Sequence, residues 1–150
     1  MSTNTVTLHR VFTATSEKLF KAFSDTSAMA SWIPPYGFLC TIHKMDFRIG
    51  GSYKMTFTNF GTGSSNSFGG TYVDLKVNEF IQYTDKFDNP DLPGEMITTI
   101  WFRKVMCGTE IRIEQKGIPD IIPVEVCYLG WQKSLDKLKR LVEPVIPDQG

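Results

Sequence analysis

The side chains of this sequence best suited to proton transfer are His43 and Asp85. His43 shares the alternation of Met45, which predicts an inner strand face where a histidine can act as acid or base. A solvated histidine at a strand end explains the same pattern. Asp85 alternates with Tyr83 and Phe87, and burial there would raise its pKa, but its place near a strand end indicates solvation. We therefore assign no catalytic residue from the sequence.

No motif for metal, phosphate or covalent chemistry accompanies these two residues. The sequence contains no G-x-S-x-G, H-E-x-x-H or phosphate-binding loop, and no catalytic pair of carboxylates. Cys40, Cys107 and Cys127 are widely spaced and form no C-x-x-C motif. We expect no metal and no cofactor. Three cysteines without a pairing pattern also indicate a reducing, cytoplasmic setting.

The composition indicates an ordinary globular protein. Its 150 residues, 41% hydrophobic and 21% charged, predict a single domain over residues 1–150. Sixteen basic residues balance sixteen acidic ones, so no net charge attracts nucleic acid. Residues 1–12 lack the apolar run of a signal peptide, and no stretch approaches the ~18 apolar residues of a membrane span.

The elements that position these residues include one long amphipathic helix near the end of the chain. Asp120 is its predicted N-cap, and Pro144 is expected to end it. Gly130 costs the helix roughly 1 kcal/mol relative to Ala, which is explained if the helix approaches the sheet closely there. The residues of its apolar strip recur near the 3.6-residue period: Val124, Cys127, Tyr128, Trp131, Leu135, Leu138, Leu141 and Val142.

The rest of the chain is predicted to form seven strands and two short helices. Residues 5–12 alternate with a period of two, which is typical of a strand. A short helix capped by Thr15 or Ser16 follows, and a second ends at Trp32 before Pro34. Short links between the later strands favour an antiparallel meander. These later strands are residues 39–48, 52–59, 68–77, 80–87, 96–104 and 109–116.

An aromatic inner face is the main indication of a binding site. Aromatic residues make up 13% of the chain, and large rings suit both cores and apolar pockets. One helix that covers a wide, curved sheet can leave a cavity beneath it. The candidate lining residues are Trp32, Phe38, Phe57, Tyr72, Tyr83 and Trp131.

Several short motifs resemble a known superfamily over nearly the whole chain. They include Trp32-x-Pro34, Asp46-Phe47-Arg48-x-Gly50-Gly51-x-Tyr53, Gly70-x-Tyr72, Ile81-x-Tyr83-Thr84 and Gly130-Trp131. The order of the predicted strands and helices, together with these motifs, resembles the START-like (SRPBCC) superfamily. More narrowly, it resembles the family of homologues of the activator of heat-shock protein 90 ATPase. This resemblance implies an α+β helix-grip fold, in which a seven-stranded antiparallel sheet wraps around a long C-terminal helix. Members of the superfamily bind lipids, polyketides, hormones or flavonoids, and some are cyclases.

Three functions remain open at this point. The first is the binding of an apolar or amphipathic small molecule between the sheet and the last helix. The second is an enzyme of the cyclase or hydratase type, in which His43, Asp85 or a pocket tyrosine transfers a proton. The third, suggested by the family name, is a chaperone-associated protein-binding module or a homodimer. Its contact surface would include Trp101 and Arg103, which share the outward face of their strand.

Overall fold

The computed structural model describes residues 4–148, which form one antiparallel sheet of seven strands with three helices. The elements follow in this order: β1 (Thr5–Phe12), α1 (Ser16–Ser24), α2 (Thr26–Trp32), β2 (Phe38–Met45), β3 (Ser52–Asn59), β4 (Ser65–Lys76), β5 (Phe80–Phe87), β6 (Met96–Val105), β7 (Gly108–Lys116) and α3 (Val124–Val142). The predicted α+β helix-grip fold is confirmed.

The sheet is a meander whose first strand returns beside the last. Its order is β1-β7-β6-β5-β4-β3-β2, and every neighbouring pair is antiparallel. β1, β3 and β5 have the predicted limits, since each carries an uninterrupted alternation. β2 ends earlier than predicted, at Met45, because the chain turns where the amide of Arg48 donates to the carbonyl of Asp46, 2.9 Å away.

Two glycines allow β4 to approach both of its neighbours closely. A Cβ atom on Gly69 would lie 2.4 Å from the carbonyl oxygen of Tyr53 on β3. A Cβ atom on Gly70 would lie 1.9 Å from the carbonyl oxygen of Thr84 on β5. The pairing of β4 with β5 also shifts register between Tyr72 and Asp74. Glycines and bulges of this kind mark bends in a strand, so the sheet bends beside its centre.

The last helix is buried unevenly along its length. In its C-terminal half, Leu135, Leu138 and Val142 are fully buried. In its N-terminal half, Val124 and Cys127 are only partly buried. α3 packs mainly against β1, α1 and α2, so its N-terminal half leaves space above the central strands. Tyr128 and Leu141, predicted on the apolar strip, are both 42% exposed.

Two predictions about the last helix are wrong. The N-cap is Pro123 and not Asp120, because residues 119–122 form a turn in which the amide of Ile122 donates to the carbonyl of Pro119, 2.9 Å away. Gly130 does not permit a close approach to the sheet. A Cβ atom there would meet only Cγ of Pro35, at 3.9 Å, which is an ordinary van der Waals contact.

We expect Gly70→Ala to destabilise the fold by more than about 2 kcal/mol, because the new methyl group would overlap the carbonyl of Thr84. Gly61→Ala is the matched control, since a Cβ atom there would lie 3.5 Å from Oδ1 of Asn59, an ordinary contact. Urea unfolding measures both variants, and the control should stay within about 0.5 kcal/mol of the wild type. Equal stability of the two variants would show that the close approach at Gly70 is unimportant.

Candidate functional site

A cavity of about 370 Å³ lies between the N-terminal half of α3 and the inner faces of the central strands. Most side chains around it are apolar, and many are aromatic. β3 contributes Tyr53, Met55 and Phe57, and β5 contributes Tyr83, Asp85 and Phe87. The strict alternation along these two strands directs every second side chain into the cavity. The space left by α3 is therefore bordered by the aromatic face of the sheet.

Five of the six predicted lining residues border this cavity: Phe38, Phe57, Tyr72, Tyr83 and Trp131. Trp32 does not. It is fully buried behind the cavity wall, where its Nε1 donates to the carbonyl oxygen of Ala22 at 2.8 Å. Its ring packs edge-on against Phe23, with 4.8 Å between the ring centroids, and Phe23 is the residue that reaches the cavity. Trp32 therefore supports the wall and does not form it.

His43 lies outside the cavity, contrary to the interpretation that it points inward. The pairing of β2 with β3 shifts register between Ile42 and Lys44, so the alternation that assigned His43 to the inner face is interrupted. The side chain is exposed on the outer face, with Nε2 2.8 Å from Oγ1 of Thr56. No role in the chemistry of the cavity follows for this histidine.

Asp85 borders the cavity and is not solvated at a strand end as predicted. Burial raises the pKa of its carboxyl to about 7, while the hydrogen bond from Tyr53 opposes this shift. The Tyr53 hydroxyl lies 3.0 Å from Oδ1 of Asp85 and 2.9 Å from the carbonyl oxygen of Thr84. One phenolic hydrogen cannot serve both acceptors fully. A protonated Asp85 can instead donate to Tyr53, which leaves the phenolic hydrogen for Thr84.

Three tyrosines, Tyr53, Tyr72 and Tyr83, form a cluster beside this carboxyl. The ring centroids are 5.5 Å apart for Tyr53 and Tyr72, 5.7 Å for Tyr53 and Tyr83, and 6.3 Å for Tyr72 and Tyr83. Burial, and then the charge of Asp85, raise the pKa of the Tyr53 and Tyr83 hydroxyls well above the ordinary range. Burial, and then the charge of Asp46, do the same for Tyr72. All three remain neutral hydroxyl groups near neutral pH.

Polar contacts hold the helical wall of the cavity in place. Nε1 of Trp131 donates to Oε1 of Gln115 on β7, 3.2 Å away. The Ser134 hydroxyl lies 2.7 Å from the carbonyl oxygen of Ile33 and 3.0 Å from that of Gly130. Burial, and then the charge of Asp85, raise the pKa of the Cys127 thiol, so this group is also neutral near neutral pH. The hydrogen bonds of Trp131 and Ser134 therefore fix the helical wall of the cavity.

The cavity lining holds one charged side chain and no metal cluster. Among the described residues that border the cavity there is no lysine, arginine or histidine, and Asp85 is the only acidic group. Residues 4–148 contain no group of three histidine, cysteine, aspartate or glutamate side chains able to hold a metal ion.

Within the same residues, no helix is long and apolar enough to cross a membrane.

Sequence reasoning missed the pairing of Tyr53 with Asp85, although part of its signal was present. Asp85 alternates with Tyr83 and Phe87, so the pattern already placed it on the inner face. On β6, Met96 lies opposite Asp85 in the pairing with β5, and both residues border the cavity. The assumption that a residue near a strand end is solvated failed because the end of β5, at Asp85 and Phe87, borders the cavity.

The sheet, its single covering helix and the cavity between them define the class of protein, an α+β helix-grip domain. Comparison with protein families matches residues 13–143 to the family described as activator of Hsp90 ATPase homolog 1-like protein. The chain belongs to this family, which confirms the resemblance found in the sequence motifs. A comparison with curated proteins finds no match.

Solved structures agree with this assignment. A crystal structure of a protein from Chromobacterium violaceum is 51% identical, with a TM-score of 0.93, over 95% of this chain and 99% of the other. The AHSA1 protein from Silicibacter pomeroyi is 22% identical, with a TM-score of 0.79, over 91% of this chain and 95% of the other. An AHSA1-like protein from Aeromonas hydrophila is 18% identical, with a TM-score of 0.75, over 93% of this chain and 92% of the other. The last two likenesses show the fold alone.

We expect Asp85→Asn to stabilise the protein at high pH and not at low pH. The folded state raises the carboxyl pKa from 3.8 to about 7, so the stability contributed by the protonated form is present below about pH 4 and is lost as the pH rises through about 7. Because one pKa unit corresponds to about 1.4 kcal/mol, the variant should exceed the wild type by roughly 2–4 kcal/mol near pH 8.

Urea unfolding at several pH values measures this difference. The matched control is Asp74→Asn, because Asp74 is exposed on β4. A difference between Asp85→Asn and the wild type that stays constant from about pH 4 to about pH 8 would show that the carboxyl is not desolvated.

Proposed function

We propose that this protein binds an apolar or amphipathic small molecule in the cavity between the sheet and α3. The observation that carries the proposal is the space of about 370 Å³ bordered by aromatic side chains. Ligand sites typically occupy ~300–1,000 Å³, are mostly apolar and contain a few polar groups that orient the ligand. The three unpaired cysteines agree with a cytoplasmic setting for this activity.

The energy for such binding would come from apolar contact. Each 100 Å² of apolar surface removed from water contributes roughly 2.5 kcal/mol. Rings such as Phe57 and Phe68, whose centroids are 4.8 Å apart, already hold one another in place. Trp131 is fixed by Gln115, as described above. Little side-chain ordering would therefore accompany the entry of a ligand.

An enzymatic role is the second candidate, and Asp85 is the residue that favours it. Its carboxyl borders the cavity with a pKa of about 7, which suits proton transfer near neutral pH. His43, the other predicted acid or base, is on the outer face of the sheet. A cyclase or hydratase mechanism would therefore depend on Asp85 and the tyrosine cluster.

The protein-binding alternative stays a prediction. Trp101 is 39% exposed on the outer face, and the guanidinium of Arg112 lies 5.7 Å from its ring centroid. Arg103, predicted to share this surface, forms an ion pair with Glu110 at 3.1 Å. These groups supply an aromatic and basic patch on the outer face of the sheet.

The cavity proposal predicts that filling the space abolishes binding. Cys127→Phe places a ring in the cavity, whereas Leu129→Phe places the same ring on a part of α3 that is 56% exposed and outside the lining. We expect Nile red to bind the wild type and Leu129→Phe with similar affinity, and to bind Cys127→Phe at least about tenfold more weakly. Fluorescence titration measures the affinities, and circular dichroism checks that both variants fold.

Two results would overturn the proposal. One is a folded Cys127→Phe variant that binds the dye as well as Leu129→Phe does. The other is a wild-type protein that neither binds the dye nor retains a small molecule in native mass spectrometry after purification from its own host. In either case the cavity would be a packing defect and not a binding site.

A further inference from the structure

The carboxyl of Asp85 has no counter-charge. Its Oδ1 accepts a hydrogen bond from Tyr53, and its Oδ2 has no hydrogen-bond partner among residues 4–148. The cavity-lining side chains on the surrounding elements carry no positive charge: Tyr53 and Met55 on β3, Tyr72 on β4, Tyr83 on β5, Met96 on β6 and Cys127 on α3. Carboxylates removed from bulk water are ordinarily paired with a cation or with several donors, whereas this half-buried one has a single donor.

The lysine of α3 that is partly buried lies outside the lining and already has a partner. Lys137 on α3 donates to the carbonyl oxygen of Pro34 at 2.8 Å, and its charge acts on the Cys40 thiol. Lys54 on β3 and Lys86 on β5 alternate with the residues of the inner face, so they lie on the outer face of the sheet. Lys54 forms an ion pair there with Asp88. No protein cation among the described residues therefore reaches the cavity to neutralise Asp85.

We propose that the ligand of this cavity carries a protonated amine at one end, and that Asp85 is the carboxylate that pairs with it. This inference rests on the proposed function, since it requires that the cavity binds a ligand at all. It adds the chemical class of that ligand, a compact apolar body with a single ammonium group. Oδ2 supplies the open acceptor site.

The aromatic rings beside Asp85 suit the same cation. An ammonium group within about 6 Å of a ring face is attracted by the ring quadrupole, most strongly where water is excluded. The tyrosine cluster supplies rings from three neighbouring strands at the position of the carboxyl. A cation at this place would meet a carboxylate and ring faces together, as in sites that recognise organic amines.

The remaining cavity suits the apolar body of such a ligand. Phe57, Phe68 and Phe87 form a second aromatic group, with centroid distances of 4.8 Å from Phe57 to Phe68 and 6.2 Å from Phe68 to Phe87. A ligand with a carboxylate would instead bring a like charge beside Asp85, where no basic side chain compensates it. A neutral ligand forms no ion pair with Asp85, so it lacks this added interaction.

Three probes of equal shape test the assignment: naphthylmethylamine, naphthylmethanol and naphthoic acid. Isothermal titration calorimetry measures each against the wild type, Asp85→Asn and Asp74→Asn. For the wild type near pH 8, we expect the amine to bind about tenfold more tightly than the alcohol, with the acid weakest. Asp85→Asn should lose this preference while its affinity for the alcohol changes less than about twofold, and Asp74→Asn should keep it.

The pH dependence supplies an independent arm of the same experiment. An ammonium group binds the ionised carboxylate, so the affinity for the amine should rise with pH until Asp85 is fully ionised and then level off near pH 8. The midpoint of this rise is expected close to about pH 7, because this is the pKa of the Asp85 carboxyl in the protein without ligand. The affinity for the alcohol should not rise over the same range, and the amine should lose its pH dependence in Asp85→Asn.

The outcomes separate the two proposals. The amine assignment is overturned if the alcohol or the acid binds the wild type as tightly as the amine, or if Asp85→Asn keeps the preference. It is also overturned if Nile red binds and none of the three naphthyl probes does. If the wild-type protein binds neither Nile red nor any of the three naphthyl probes, the proposed function itself is overturned.

Discussion

The structure depends on how the C-terminal half of α3 is held against the rest of the protein. Leu135 and Leu138 are fully buried in the core there. Around them, Arg10 on β1 forms an ion pair with Asp136 at 2.7 Å, and the Lys137 ammonium reaches the α2–β2 connection. Partly exposed ion pairs contribute little energy, so apolar burial provides the stability and the polar contacts fix the direction of the helix. Anchored at one end in this way, the helix leaves the cavity open under its other end.

The patterns that repeat along the chain predicted most of the fold. Alternation over β1, β3 and β5 and the helical period after residue 123 are local properties, and they set the elements and their inner faces. His43 was misplaced because one register shift in β2 reverses the alternation, and such a shift depends on the pairing with β3. Trp32 was misplaced because its direction depends on how α2 packs against α1. Tertiary packing decided both cases.

The cavity was predictable in part, and its chemistry was not. Of the five proposed residues that border the cavity, four lie on strands and Trp131 lies on the apolar strip of α3, and such faces are properties of the sequence. The pKa of Asp85 depends first on burial in the cavity and then on a hydroxyl from a strand more than thirty residues away, and no sequence pattern specifies either. Membership of the family likewise defines the fold without defining a ligand, because one fold carries many functions. The side chains around the cavity, and not the fold, would select a ligand.

One backbone oxygen connects the shape of the sheet to the charge inside it. The carbonyl of Thr84 is the atom that a Cβ on Gly70 would strike, and it is also an acceptor for the Tyr53 hydroxyl. Because that hydroxyl is shared with Asp85, any movement of the carbonyl changes how much of the phenolic hydrogen the acid receives. The curvature of β4 and the acidity of the cavity are therefore coupled through this one carbonyl.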